Sequence, residues 1–247
     1  MLLLRTLFCW LFAYFSTFFF FLYGFVCWLI DRSLSLQAHY HNGSRIWARS
    51  LLWLTGIRVK VENPEQIEAL KKDGPYIVAA NHQSVVDILV LLHVIPFQFA
   101  FFTKRILFAI PVYGWYLWAA GYIPVNRYDP RSAYRSVEAA AKKIEKGVSL
   151  VIFPEGSRSE NGALGRFKSG FIRVAEKTGA SILPVAITGS HRIVPKGSVL
   201  MNPAEVTINV GNPIDAKAEI LNNRDERSRV VTEVRDNIAA MLEEAAQ

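Results

Sequence analysis

The sequence predicts a layered α/β domain carried behind an N-terminal hydrophobic membrane helix and an interfacial helix. Three observations predict it. From Thr6 to Ile30 the chain reads TLFCWLFAYFSTFFFFLYGFVCWLI, 25 residues without a formal charge. Beyond Gly56, short apolar runs alternate with segments of helical spacing. A length of 247 residues suits one compact domain, or one domain plus a membrane element. The composition agrees, since 51% hydrophobic residues with 16 Phe, 9 Tyr and 6 Trp exclude a disordered acidic chain or a fibrous one.

A helix of 25 residues reaches roughly 37 Å against a hydrocarbon core of about 30 Å, so the first segment is long enough to span with tilt or to lie partly embedded. Its apolar run exceeds the roughly 7 to 15 residues of a secretory signal, which predicts a retained anchor. Arg5 stands before the run, and Asp31, Arg32, Arg45, Arg49, Arg58 and Lys60 follow it. The heavier basic flank predicts that the rest of the chain stays on the cytoplasmic side. Cys9 and Cys27 are too few for a four-ligand zinc site or a disulfide framework and read as small apolar fillers. Ser44 to Thr55, SRIWARSLLWLT, predicts a second helix, either at the interface with its tryptophans at headgroup depth or packed on the core. His39 and His41 precede it in a polar stretch and are expected to be solvated. Residues 1–56 thus form a membrane-anchoring helical region, and 57–247 a folded domain.

Within that domain the candidate strands are Ile57–Val61, Tyr76–Ala80, Gln98–Phe102, Tyr122–Val125, Val148–Phe153, Ile182–Ile187 and Val206–Val210. Helices are expected near Pro64–Lys71, from Ser84 onward, and over Arg131–Lys146, Lys168–Lys177 and Arg224–Ala245, with Gly147 and Gly179 at C-terminal stops. Val85 to Ala120 is unusually apolar, broken by Asp87, His93, Lys104, Arg105, Pro96 and Pro111. It reads as a hydrophobic groove or tunnel toward lipid, or as plain core, with aromatics between Phe97 and Trp118 as lining candidates.

Two short segments carry chemistry. In NHQSVVD, Asn81 to Asp87, a histidine suited to accept a proton near neutral pH stands five residues before a carboxylate. Asp87 can return past the start of a helix to hold the His82 imidazole in one tautomer. Ser84 and Asp87 also approximate a helix-capping box. In FPEGSRS, Phe153 to Ser159, Gly156 permits a tight turn, Arg158 offers a planar fork to a phosphate, and Glu155 can anchor the turn or the arginine. Lys104, Arg127, Arg166 and Lys168 add positive charge, either as a solvated face or as a pocket for an anionic headgroup. No GxSxG elbow supports Ser84 as a nucleophile. Net charge +7 comes with no zinc-finger or basic-zipper pattern, so no nucleic-acid partner is expected.

These residues resemble the motifs of the glycerolipid acyltransferase family, with a length and layout similar to its bacterial 1-acyl-sn-glycerol-3-phosphate acyltransferases. Asn81, His82 and Asp87 match NHxxxxD. Phe153, Pro154, Glu155, Gly156, Arg158 and Ser159 match FPEGxRS. Gly121, Ile123 and Arg127 resemble an intermediate block, and Pro184, Val185 and Gly189 a fourth. The resemblance covers roughly residues 57–215, with the two main motifs about 70 residues apart.

The resemblance implies a glycerolipid-acyltransferase-like fold and acyl transfer from an acyl-ACP or acyl-CoA thioester to the sn-2 hydroxyl of lysophosphatidic acid, giving phosphatidic acid. It implies His82 and Asp87 as catalytic residues, Arg158, Arg127 and Lys104 as phosphate-binding residues, and Asn81, Glu155, Gly156 and Ser159 as supporting ones. Membrane phospholipids are the further partners, no cofactor or metal is required, and the place of work is the bacterial inner membrane. Acylation of another lyso-lipid, such as lyso-ornithine lipid or a lysophospholipid, is the competing reading. An inactive lipid-binding protein is a third.

Overall fold

In the computed structural model, residues 2–71, 73–126, 130–216 and 223–245 are described. The chain begins with α1, Leu2–Ile30, which takes in Arg5 as well as the uncharged run. It is long and apolar enough to cross a membrane, with a mean hydropathy of 1.8 in its most apolar window and only 17% of that window buried. Its inward stripe is Thr6, Cys9, Thr17, Phe20 and Gly24. At Gly24 a β-carbon would stand 2.9 Å from the Tyr40 ring, so only glycine lets the next helix approach this closely. The Tyr40 hydroxyl then donates to the Phe21 carbonyl at 2.9 Å. Cys9 is fully buried and Cys27 half-buried, both as free thiols.

That next helix, α2, spans Leu36–Thr55 and so starts well before the expected Ser44. Ser35 caps it by accepting from the Ala38 N–H, and Gly56 closes it in the left-handed region at φ 67°. The Arg5 guanidinium also donates to the Thr55 carbonyl, placing positive charge at the helix C-terminus. The longer helix overturns the expectation that His39 and His41 are solvated, for both face inward at 7% and 3% exposure. His41 packs edge-on against Phe99, ring centres 4.7 Å apart. The two tryptophans of α2 part company: Trp53 is exposed, whereas half-buried Trp47 donates to Ser16 of α1 at 2.9 Å.

Seven strands follow: β1 (Arg58–Val61), β2 (Ile77–Ala80), β3 (Phe99–Lys104), β4 (Ile123–Val125), β5 (Ser149–Ile152), β6 (Ile182–Thr188) and β7 (Glu205–Val210). They form one sheet in the order β1-β7-β6-β2-β5-β3-β4, parallel except for the β6–β7 pair. Every residue of β2 is buried and six of the seven in β6, as expected of strands covered on both faces. All seven match the expected strands within a residue or two.

The connecting helices are α3 (Pro64–Ala69), α4 (Val86–Val94), α5 (Tyr113–Ala119), α6 (Pro130–Ile144), α7 (Ile172–Thr178) and α8 (Arg224–Glu244). The β2–α4–β3 crossover advances one way along the sheet, and β4–α6–β5 and β5–α7–β6 return the other way. Right-handed crossovers therefore put α4 on one face and α6 and α7 on the opposite one. The first face also carries α2 against α4, with α1 against α2 and α5. On the second, α8 packs on β6 and reaches α7 through the Arg227–Glu176 ion pair at 3.3 Å.

Both sheet edges are blunted. β4 has only three residues, with Pro124 at its centre and the Pro124 carbonyl accepting from Ser136 of α6. β1 alternates exposed Arg58 and Lys60 with half-buried valines, and its charges pair with Glu205 and Glu62.

His41 generates a testable consequence. Burial, helped by nearby Arg45, pushes its imidazole down from 6.5 to about 4. The unfolded chain therefore binds the extra proton first, and stability is lost as pH falls from about 6.5 toward 4, by up to about 3 kcal/mol. His41→Leu is expected to flatten that part of the acid-denaturation curve, measured as the urea midpoint at pH 7 and pH 5. An unchanged slope would remove His41 as its source.

Candidate active site

The parallel pairing of β2 with β5 brings the two motif segments to one place, because both strands end on the same edge of the sheet. Asn81, one residue past β2, uses its amide as a splint. It donates to the Ile187 carbonyl at 2.9 Å and accepts from the Ile187 N–H at 2.7 Å, holding β2 and β6 together just where the loop must leave the sheet.

His82 follows. Its Nδ1 lies 2.8 Å from Asp87 Oδ2, and its ring lies flat on Phe153, 3.9 Å between centres at 14°. Asp87 has no solvent exposure. Its Oδ2 also accepts from the backbone N–H groups of Gln83 and Ser84, at 2.8 and 2.9 Å, and its Oδ1 accepts from the Ser190 hydroxyl. An oxygen facing that many donors fixes the tautomer: Nδ1 carries the proton, and Nε2 presents its lone pair. The side chain of His82 is 15% exposed, so that lone pair is reachable without being freely hydrated.

The expected capping box is formed in part: the Asp87 carboxylate accepts from the Ser84 N–H at 2.9 Å, and the Ser84 hydroxyl accepts a long bond from the Val86 N–H at 3.4 Å. Residue Val85, not Ser84, precedes α4, without a side-chain cap bond. The Ser84 hydroxyl also donates to the Val194 carbonyl at 2.9 Å, and the Asp87 carboxylate collects the N–H of Gln83 as well. Ser84 is fully buried, which leaves its hydroxyl no approach to a substrate.

From β5 the chain enters Phe153–Ser159. Glu155 does not touch Arg158. It accepts from the His82 N–H at 2.8 Å through one oxygen and from the Gly165 N–H at 3.0 Å through the other. Partial burial raises its carboxyl above the ordinary range, and those two N–H bonds oppose the shift. Gly156 adopts φ 76°, and a β-carbon there would stand 3.0 Å from Lys168 Nζ. The Ser159 N–H donates to the His82 carbonyl at 2.8 Å, which holds half-buried Arg158 one residue from the histidine's backbone. Lys104 ends β3 on the same edge, exposed. Arg127 lies outside the described residues.

The sequence reading missed Ser190, Gln83 and His191. Gln83 accepts through Oε1 from His191 Nδ1 at 3.2 Å and donates through Nε2 to the Gly162 carbonyl at 2.9 Å, tying three loops together. The turn carrying Ser190 follows Gly189 at φ 90°. A glycine and a serine just beyond an apolar strand were the available signal.

An apolar cavity of about 100 Å³ is walled in part by Val85 and Val86, which follow the His82 loop. Of the aromatics expected between Phe97 and Trp118, only Tyr113 and Tyr116 reach it, and Trp118 is exposed. The rest of its wall includes Ala13 and Thr17 of α1 and Leu51 of α2, a contribution the sequence did not reveal. Tyr116 is held by Ser44 and by the Tyr40 carbonyl, each at 2.8 Å, and burial raises both its hydroxyl and that of Tyr122. The α5 wall enters through a strained γ-turn. Val112 has φ 65°, and the Tyr113 N–H donates to the Pro111 carbonyl at 2.7 Å. Among the described residues no three His, Cys, Asp or Glu side chains are grouped to hold a metal.

Residues 58–188 match the Acyltransferase family model. The chain belongs to the acyltransferase family. It is 33% identical over 192 residues to a 1-acyl-sn-glycerol-3-phosphate acyltransferase of Borreliella burgdorferi, covering 78% of this chain and 74% of that one. It is 35% identical over 193 residues to the chloroplastic 1-acyl-sn-glycerol-3-phosphate acyltransferase LPAT1 of Arabidopsis thaliana, covering 77% of this chain and 53% of that one. The chain thus spans about half the length of the plant relatives it matches. The crystal structure of the 1-acyl-sn-glycerophosphate acyltransferase PlsC from Thermotoga maritima superposes with a TM-score of 0.79 at 28% identity, over 97% of this chain and 95% of that one. The acyltransferase fold expected from the motifs is therefore the fold observed.

Glu155 offers a direct test of how the site is held. A glutamine there keeps one acceptor but turns an N–H₂ toward the other backbone donor. An N–H left without its acceptor costs about 1–3 kcal/mol. Glu155→Gln is expected to lower stability by that amount in urea denaturation, and a variant as stable as wild type would show that Glu155 does not anchor the two loops.

Proposed function

We propose that this acyltransferase moves a fatty acyl group from a thioester, carried on acyl carrier protein or coenzyme A, to the sn-2 hydroxyl of lysophosphatidate, making phosphatidate. The observation that carries the reading is the free Nε2 of His82, set by the Asp87 bond to its Nδ1. In the first step Nε2 takes the hydroxyl proton as that oxygen bonds to the thioester carbonyl carbon. The tetrahedral intermediate collapses with loss of the thiolate, which takes the proton back from the imidazolium. The products are an ester and a thiol, and His82 is restored. Asp87, touching only the imidazole and loop donors, acts as a positioning residue.

Arg158 is assigned to the acceptor's phosphate, helped by Lys104 on the same edge and by Arg127. Arg158 has no ion-pair partner among the described residues, and its planar fork suits a phosphate. Glu155, Asn81, Gly156 and Ser159 support these groups. The apolar cavity beside Val85 takes an acyl chain, each buried methylene contributing about 0.8 kcal/mol. Residues 1–56 serve as the anchoring region and 57–247 as the acyltransferase domain. The exposed apolar surface of α1 and the basic residues after it support an inner-membrane enzyme of a bacterium with its site on the cytoplasmic side. The similarity to proteins named for lysophosphatidate acylation supports the acceptor.

The test is acyl transfer by the purified full-length protein in vesicles, with both thioesters and a panel of lyso-lipids. His82→Ala is expected to lower turnover by about 10² to 10⁴ while leaving the melting curve in place; near-normal turnover would remove the histidine from the chemistry. Arg158→Ala is expected to raise the lysophosphatidate KM about ten- to a hundredfold, with little change for the donor. If the KM stays put, Arg158 is not the phosphate ligand. Transfer by wild type only to a different lyso-lipid would replace lysophosphatidate as acceptor.

A further inference from the structure

On the sheet face away from α1 and the apolar cavity, a second cleft of about 1070 Å³ opens between the stretch 155–173 and the first half of α8. Six cations line it: Arg166, Lys168, Arg173, Arg224, Arg227 and Arg235. Arg227 is paired with Glu176, and Arg235 stands 3.5 Å from Asp236. The other four have no ion-pair partner among the described residues. The one carboxylate on the cleft wall, among those residues, is Glu155, and both of its oxygens are taken by the His82 and Gly165 N–H groups.

Four cations without an ion-pair partner among the described residues repel each other around one concavity, and low-dielectric walls focus their field into the opening. Such a surface is stabilised when a polyanion enters. Arginine forks at several angles suit phosphate oxygens. The position narrows the choice of anion. Glu155 is a shared wall, bonded to the backbone of His82 on one side and bordering the cleft on the other. A molecule reacting at His82 with an apolar chain in the first cavity would leave its far end over this second face.

We propose that this cleft binds the phosphate-bearing end of the acyl donor, the phosphopantetheine arm that coenzyme A and acyl carrier protein share. The assignment rests on the acyl-transfer reading and adds the donor's seat to it. The apolar chain then lies on the membrane side of the sheet, the thioester carbonyl at its edge by His82, and the phosphates on the water side. The acceptor's phosphate, at Arg158, uses different cations from the donor's.

The experiment is steady-state kinetics of the full-length protein in vesicles with the double substitution Arg173→Glu and Arg224→Glu, and with the milder Arg173→Gln and Arg224→Gln pair. Both residues are exposed and outside the catalytic constellation, and thermal melting checks the fold. The KM for palmitoyl-CoA and for palmitoyl-ACP is expected to rise about tenfold or more in the Glu pair and less in the Gln pair, with the lysophosphatidate KM within twofold of wild type. Palmitoyl-N-acetylcysteamine, a thioester without phosphate, is expected to serve wild type and variants equally. A rise for one carrier alone would overturn the shared arm as the occupant. Unchanged donor KM values in an active, folded variant would overturn the assignment while leaving the acyl-transfer reading intact. So would a variant that loses only its association with anionic vesicles, because the cleft would then face lipid. A wild type without turnover on any donor would sink both.

Discussion

Asp87 has no solvent exposure, and a carboxylate in that position costs several kcal/mol unless donors meet its oxygens. Four do: the His82 ring, two consecutive backbone N–H groups and the Ser190 hydroxyl. Meeting that demand shapes the loop after β2, because the N–H groups of Gln83 and Ser84 must converge on one point. It also draws in the turn after β6, because Ser190 must reach the same carboxylate. The imidazole is thereby held by a group that is itself immobilised from three directions. A hydrogen bond to a mobile surface carboxylate would orient the ring far less well.

The second motif performs the same service from the neighbouring strand. Glu155 and Ser159 both bond to the backbone of His82, one to its N–H and the other to its carbonyl, while Phe153 supplies a flat bed for its ring. All three of these contacts fix the histidine, whereas Arg158 of the same motif makes no ion pair among the described residues and is left for other work. The parallel register of β2 and β5, Ile77 opposite Leu150, makes this possible, since both loops then start from one level of the sheet.

The strands and the two motif loops were legible in the sequence because each depends on neighbours a few residues away. Alternation of apolar runs, a glycine where φ must be positive, and a histidine five residues before an aspartate are all local patterns. What escaped reading depends on pairings across the chain. His41 looks polar and loop-bound in sequence, yet Ser35 starts a helix that turns it toward Phe99, 58 positions further on. Ser190 reaches Asp87 from 103 residues away. The cavity wall draws on α1, whose run of phenylalanines reads as membrane anchor alone and hides the stripe of Thr6, Cys9 and Thr17 that packs inward. The helix α5 is equally opaque, since a valine at positive φ is what sequence rules exclude.

The blunted sheet edges acquire a meaning once the chain is thought of as living on a surface. Proteins tethered to a lipid sheet share two dimensions instead of three, so neighbours meet far more often than in solution. An open strand edge under that confinement is a template for adding a stranger's strand. A three-residue β4 with proline at its centre and its carbonyl already taken offers no ladder to extend, and β1 meets any newcomer with Arg58 and Lys60. Crowding along the sheet direction is thus tolerated without strand addition from one copy to the next.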